Sequence, residues 1–174
     1  MKKHMLCLLA LALCLMLPLS AMAEEETVPN VTGILKEYTA LDLEPYLGKT
    51  VLINFFTEWC YYCMQEMPDL KAVNDLYDPD SFQMVLVHVW DGEDETSTEN
   101  VKEKFGMEHM TFFEDTDRMV ASVVGLQGYP ATLVVGPDGT LSAGQAGMVT
   151  LDMLTSHLDA MGVKRVEEAQ DGTV

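Results

Sequence analysis

The chain has 174 residues, with 28 acidic and 10 basic side chains and a formal net charge of −18. So negative a surface argues against nucleic acid and anionic lipid headgroups as partners. It leaves the ordinary classes of a one-domain enzyme or binding module, because about 150 residues remain once a leader is set aside, enough for one proper core.

The leader is residues 1–23. Lys2 and Lys3 form a positive start, Met5 to Leu17 is almost wholly apolar, and Ala21-Met22-Ala23 has the small-x-small form of a cleavage site. Pro18 and that site favour cleavage over an uncut membrane anchor, which the length of the apolar run also allows. Cys14 does not read as a lipidation site, since Leu13 before it is too large and the apolar run continues past it. Residues 24–33 read as a flexible acidic lead-in, 34–162 as the folded domain and 163–174 as a polar, fraying tail.

Ile34 to Leu43 shows short apolar alternation and predicts one or two edge strands. Val51 to Phe56 is β-branched and aromatic, apolar on both faces apart from Asn54, the pattern of a central strand covered on both sides. Tyr62 to Tyr77 has apolar residues at helical spacing, with Pro68 predicting a kink. Phe82 to Trp90 is a second buried strand. Thr96-Ser97-Thr98-Glu99 has capping-box form and opens a helix ending near Gly106. Thr111 to Phe113 is a short strand, and Asp115 and Thr116 cap a helix to Val124. Ala131 to Val135 and Leu141 to Gln145 are strands joined by the turn Pro137-Asp138-Gly139-Thr140. Thr150 caps a last helix that runs to Met161 and stops at Gly162. The order predicts an α/β fold, a mixed sheet with helices on both faces, in which parallel units come first and an antiparallel hairpin closes the sheet.

The chemistry concentrates at Trp59-Cys60-Tyr61-Tyr62-Cys63, where a strand hands over to a helix. Cys7 and Cys14 leave with the leader, so Cys60 and Cys63 alone remain, destined for an oxidising compartment. A purely structural disulfide fits poorly, because so small a loop removes little chain entropy. Zinc would need two more ligands, and His88, His109 and His157 are not paired at ligand spacing. The pair therefore reads as redox-active, with no metal and no bound cofactor. Cys60, at the helix N-terminus, is the nucleophile, because unpaired N–H groups and the helix dipole there favour a thiolate. Cys63, a turn inside, resolves the mixed disulfide.

From about Tyr38 to Met161 the chain resembles the thioredoxin superfamily and, within it, the TlpA/ResA-like extracytoplasmic thiol–disulfide reductases. Four features carry the resemblance: Val-Leu-Ile-Asn-Phe-Phe-Thr-Glu-Trp-Cys ending at Cys60; Cys63-Met64-Gln65-Glu66-Met67-Pro68; Gly128-Tyr129-Pro130 before a strand; and Gly147 before the last helix. The resemblance implies a thioredoxin-like fold with a βα insert around Ser97 to Phe113, ahead of a cis peptide at Pro130 that faces the cysteines. It makes Glu66 a candidate proton acceptor and donor for the thiols; the alternative is a surface glutamate in a very acidic protein. Asn54 either holds water near Cys63 or is a packed, satisfied amide. Trp59, Tyr61, Tyr62, Tyr129 and Pro130 are the substrate-binding candidates, as aromatic surface around Cys60, with part of Trp59 expected in the core. Glu58 is expected to be exposed, and His88 to be a core histidine.

The implied function is an exported, monomeric oxidoreductase that reduces disulfides in oxidised cell-envelope protein clients and is recharged by a membrane electron donor of CcdA/DsbD type. It would touch the membrane itself only through an uncut anchor. Two departures bear on the direction of electron flow: Tyr-Tyr between the cysteines and Tyr129 before the proline. They keep a disulfide oxidase or isomerase open. A peroxiredoxin has Thr57 correctly placed but Ile53 where its motif needs proline, and a copper module would use a wider cysteine spacing with a histidine.

Overall fold

A computed structural model gives the conformation of residues 28–90 and 98–166. The leader, most of the lead-in, the Thr96-Ser97 start of the capping box and the tail beyond 166 lie outside the described residues.

Strand β1 (Thr50–Phe56) is the middle of a five-stranded sheet, and all seven of its residues are buried. β2 (Phe82–Val89) runs parallel to it from Thr50↔Phe82 to Phe56↔His88, and β3 (Thr111–Asp115) continues the parallel side. β4 (Ala131–Val135) pairs antiparallel on the other flank, Val51↔Val135 to Phe55↔Ala131, and β5 (Leu141–Ala146) closes the sheet as the hairpin partner of β4. The order is β3-β2-β1-β4-β5, the mixed sheet the sequence predicts.

Alternate β1 residues feed two cores, which is why the strand reads as a continuous apolar run. Leu52 and Phe56 pack with α2 (Tyr61–Leu76), α3 (Thr98–Phe105) and α5 (Leu151–Ala160). Val51, Ile53 and Phe55 pack with α1 (Val31–Tyr38) and α4 (Met119–Val123). Helix α2 runs unbroken through Pro68. α5 begins where expected, with the Thr150 hydroxyl accepting from Met153 N–H at 3.3 Å.

Three local expectations need correction. The first half of the stretch read as edge strands, Ile34 to Tyr38, belongs to α1. Its buried residues, Val31, Thr32 and Leu35, recur at helical spacing, and Asn30 caps it by accepting from Gly33 N–H at 2.9 Å. A single turn of 3-10 helix (Glu44–Tyr46) follows, so among the described residues no strand forms before β1. Helix α4 is shorter than expected. Arg118, in the left-handed region at φ 59°, stands before it, and the buried Asp115 on β3 caps it from outside by accepting from Val120 N–H (3.0 Å) and Ala121 N–H (2.9 Å). The described start of the tail does not fray: Val163 is buried, and Arg165 forms an isolated bridge with Tyr77 and an ion pair with Asp159.

The β4–β5 turn is fastened to α1, because Thr32 N–H donates to the Gly139 carbonyl at 3.1 Å. Gly139 has φ 84°, and a Cβ there would lie 2.9 Å from the Thr32 hydroxyl, so both backbone and packing demand glycine.

Candidate active site

β1 ends at Phe56, and the turn Thr57-Glu58-Trp59 delivers the chain to α2. Cys60 is the N-cap of that helix, its sulfur accepting from Cys63 N–H at 3.2 Å. The first helical turn brings the two Cα atoms to 5.2 Å, within disulfide range, and the sulfurs are bonded. Cys60 keeps 5% of its surface and Cys63 none. Of the two residues, Cys60 is the less completely enclosed.

The antiparallel register of β1 and β4 puts the start of β4 at the same end of the sheet as the Cys60 turn. The Tyr129–Pro130 peptide there is cis, and the Pro130 carbonyl accepts from Gly147 N–H at 2.9 Å. The Trp59 and Tyr129 rings meet edge to face at 6.4 Å, and Tyr61 meets Tyr62 at 5.4 Å. Tyr61, Tyr62 and Trp59 are 68%, 61% and 57% exposed, whereas Tyr129 is half-buried. The expectation that part of Trp59 enters the core is corrected. Trp59 projects from a turn, while Tyr129 is drawn in by its link to the buried Pro130. A cavity of about 500 Å³ opens beside Tyr129 and Pro130, walled also by Leu126, Leu133, Gly144 and Gly147 among others.

Glu66 is not a surface glutamate: it is 1% exposed. One carboxylate oxygen accepts from Asn54 Nδ2 at 2.8 Å and the other from Val149 N–H at 2.8 Å. Asn54 Nδ2 also donates to the Thr132 hydroxyl at 3.1 Å. Burial pushes the Glu66 carboxyl up to about 7, against the two hydrogen bonds that favour its charge, with Asp69 adding to the rise. A carboxyl that titrates near neutrality, one helical turn beyond Cys63, is suited to take and return a proton. Asn54 is fully buried and its amide nitrogen is paired, but its oxygen has no partner among the described residues.

Glu58 is half-buried rather than exposed, and its Oε1 is a buried atom without a hydrogen-bond partner. His88 is 7% exposed and stacks on Phe56 at 5.0 Å, as a core histidine. Among the described residues, no three side chains of the His, Cys, Asp and Glu types gather as metal ligands.

The sequence reading missed Thr132, Val149 and Asp69, whose carboxylate accepts from Leu151 N–H at 3.1 Å. Thr132 did carry a signal: like Asn54, it is a polar residue in an apolar strand, and the register pairs the two directly. Val149 contributes only a backbone N–H, for which no residue type is diagnostic.

The AhpC/TSA family model matches residues 25–143. The chain belongs to that family. It is similar to the thiol-disulfide oxidoreductase ResA of Geobacillus thermodenitrificans, 26% identical over 144 residues that span 79% of this chain and 81% of that protein. The ResA of Bacillus subtilis is 25% identical over 119 residues, 68% of this chain and 65% of that one. Among solved structures, MTB DsbF in its mixed oxidised and reduced forms aligns with a TM-score of 0.63 at 24% identity, covering 78% of this chain and 99% of that one. The fold is thioredoxin-like, and the resemblance to ResA-like proteins read from the motifs is borne out.

Proposed function

For this member of the AhpC/TSA family, we propose the activity of an exported thiol–disulfide oxidoreductase that reduces disulfides in cell-envelope proteins. The observation that carries the reading is the Cys60–Cys63 disulfide at the N-terminus of α2, where Cys60 keeps 5% of its surface and Cys63 none.

In the reduced protein, the Cys60 thiolate attacks one sulfur of a client disulfide. A Cys60–client bond forms, the client S–S bond breaks, and the first client thiolate leaves. Cys63 then passes its proton to the ionised Glu66 carboxylate and attacks the Cys60 sulfur. The second client thiolate leaves, and both client thiolates take up protons. Two electrons have moved to the client, and the protein holds its own disulfide. A membrane dithiol donor of CcdA/DsbD type would recharge it by the same steps in reverse. The exposed aromatic surface and the cavity beside Pro130 suit an extended, partly apolar polypeptide segment around a client cysteine.

Export rests on the leader read in residues 1–23. Among the described residues no helix is long and apolar enough to cross a membrane.

One observation favours a second direction of flow: no proline stands between the cysteines. The reduction potential of the pair decides it. A value near about −270 mV supports a reductase, and one near about −120 mV an oxidase or isomerase. Peroxidase chemistry is disfavoured by Ile53, which is fully buried in β1 where the peroxidatic motif needs proline. The exchange mechanism is tested with Cys63→Ala, which should trap clients on Cys60 as mixed disulfides that thiol reductant releases. Absence of any such adduct from an oxidised envelope extract would sink the mechanism.

A further inference from the structure

The turn between β5 and α5 is pinned at three points. Gly147 N–H donates to the Pro130 carbonyl at 2.9 Å, Val149 N–H to Glu66 at 2.8 Å, and Leu151 N–H to Asp69 at 3.1 Å. Two of the three acceptors are carboxylates at i and i+3 on α2, the helix that begins with the redox cysteines. The third is the residue at which the client-facing edge begins. Gly147 itself has φ 86°, so the turn follows a path open to few residues, and what holds it there is this set of bonds.

We propose that Asp69 is a positioning residue of the exchange reaction: with Glu66 it clamps residues 147–151 to the cysteine helix, and through Gly147 it holds the Pro130 edge in place for a client. The inference rests on the reading of Glu66 as the proton acceptor of Cys63. Asp69 also acts on that acceptor, because a negative neighbour one turn away favours the protonated carboxyl. The surroundings of Glu66 otherwise hold little charge. β1 and β4 offer the amide of Asn54 and the hydroxyl of Thr132, and the turn offers a backbone N–H. The titratable groups on its own and neighbouring elements include Cys63 on α2 when reduced, Glu58 in the β1–α2 turn, and Asp152, Asp159 and His157 on α5, the last lining a cavity of about 300 Å³ with Thr132 and Val149.

Asp69→Asn keeps an oxygen for Leu151 N–H but removes the charge; Asp69→Ala removes both. The experiment measures, from pH 5 to 9 and with the full chain, the rate at which the reduced protein reduces a disulfide-bridged peptide, with oxidised glutathione as a small comparison substrate. Asp69→Asn should move the pH midpoint down by roughly half a unit to one unit, a change of roughly threefold to fivefold in the ionised fraction of Glu66 at pH 6. Asp69→Ala should in addition raise KM for the peptide severalfold while leaving KM for glutathione disulfide alone. Glu66→Gln, run alongside, should flatten the profile. If Glu66→Gln flattens it but Asp69→Asn leaves the midpoint in place, the role of Asp69 is overturned and that of Glu66 stands. If Glu66→Gln leaves the profile unchanged, the acceptor reading falls and the inference falls with it. A lower Tm in either Asp69 variant, with midpoint and KM unmoved, would make Asp69 only a tie between helices and overturn the proposal. Should Asp69→Ala fail to fold, Asp69→Asn still decides.

Discussion

Two carboxylates in this protein are equally buried, each 1% exposed, and each accepts two hydrogen bonds. Asp115 lies at the N-terminus of α4, where two backbone N–H groups and the helix dipole all favour an anion. Glu66 lies in the second turn of α2, receives one N–H and one side-chain amide, and has Asp69 close by. The first environment uses the carboxylate as a helix cap. The second leaves the proton nearly as well placed on the carboxyl as off it. Equal burial thus serves different ends, set by the donors around each acid and the charge beside it.

Removing each acid should break the comparison in opposite ways. Asp115→Ala leaves two helix N–H groups buried without acceptors and should lower the unfolding free energy by about 3 kcal/mol. Urea denaturation at pH 5 and pH 8 measures it, and a loss below about 1 kcal/mol would mean that water replaces the carboxylate.

For Glu66 the sign depends on pH. Its folded-state value is raised from an ordinary 4.5 to about 7, so the folded protein binds the proton more tightly than the unfolded chain. The contribution is fully present below about 4.5 and is lost as pH rises through 7. Glu66→Gln should therefore raise stability at pH 8 by about 2 kcal/mol relative to the unsubstituted protein, with much less gain at pH 5. It should also slow client reduction at pH 8 by roughly tenfold or more, the usual scale for losing a general base. A variant equally active at pH 8 would return Glu66 to a structural role.

The smallest effect is expected at Thr132. Thr132→Val removes one acceptor of the Asn54 amide and should cost about 1 kcal/mol, while shifting the Glu66 midpoint by changing how that amide is held. No shift in the midpoint would show that Asn54 is positioned by β1 alone.

Much of this was legible in the sequence. The apolar run of β1, the periodicity of α2, the β4–β5 turn and the caps of α5 are local signals, and the structure places those elements within a residue or two. α1 was misread because a short amphipathic helix and a short alternating strand share the same few apolar residues, and only the burial of Val31, Thr32 and Leu35 separates them. The cysteines announced themselves by spacing. The state of Glu66 could not be read in the same way, because its environment is assembled from Asn54, Thr132 and a backbone N–H at Val149, all distant along the chain.

That distance bears on how the protein is made. The bond from Val149 to Glu66 joins residues 83 apart, and Thr132 lies 78 residues beyond Asn54. Cys60 and Cys63 are synthesised early, but a chain that ends before residue 149 carries both thiols without the finished surroundings of their carboxyl neighbour. Contacts at such separation close late, since the entropy of a long loop must be lost before they form. The cysteine pair thus exists as chemistry before the domain exists as a finished site, and an incompletely translated chain would hold both cysteines while Glu66 still lacks its bond from Val149.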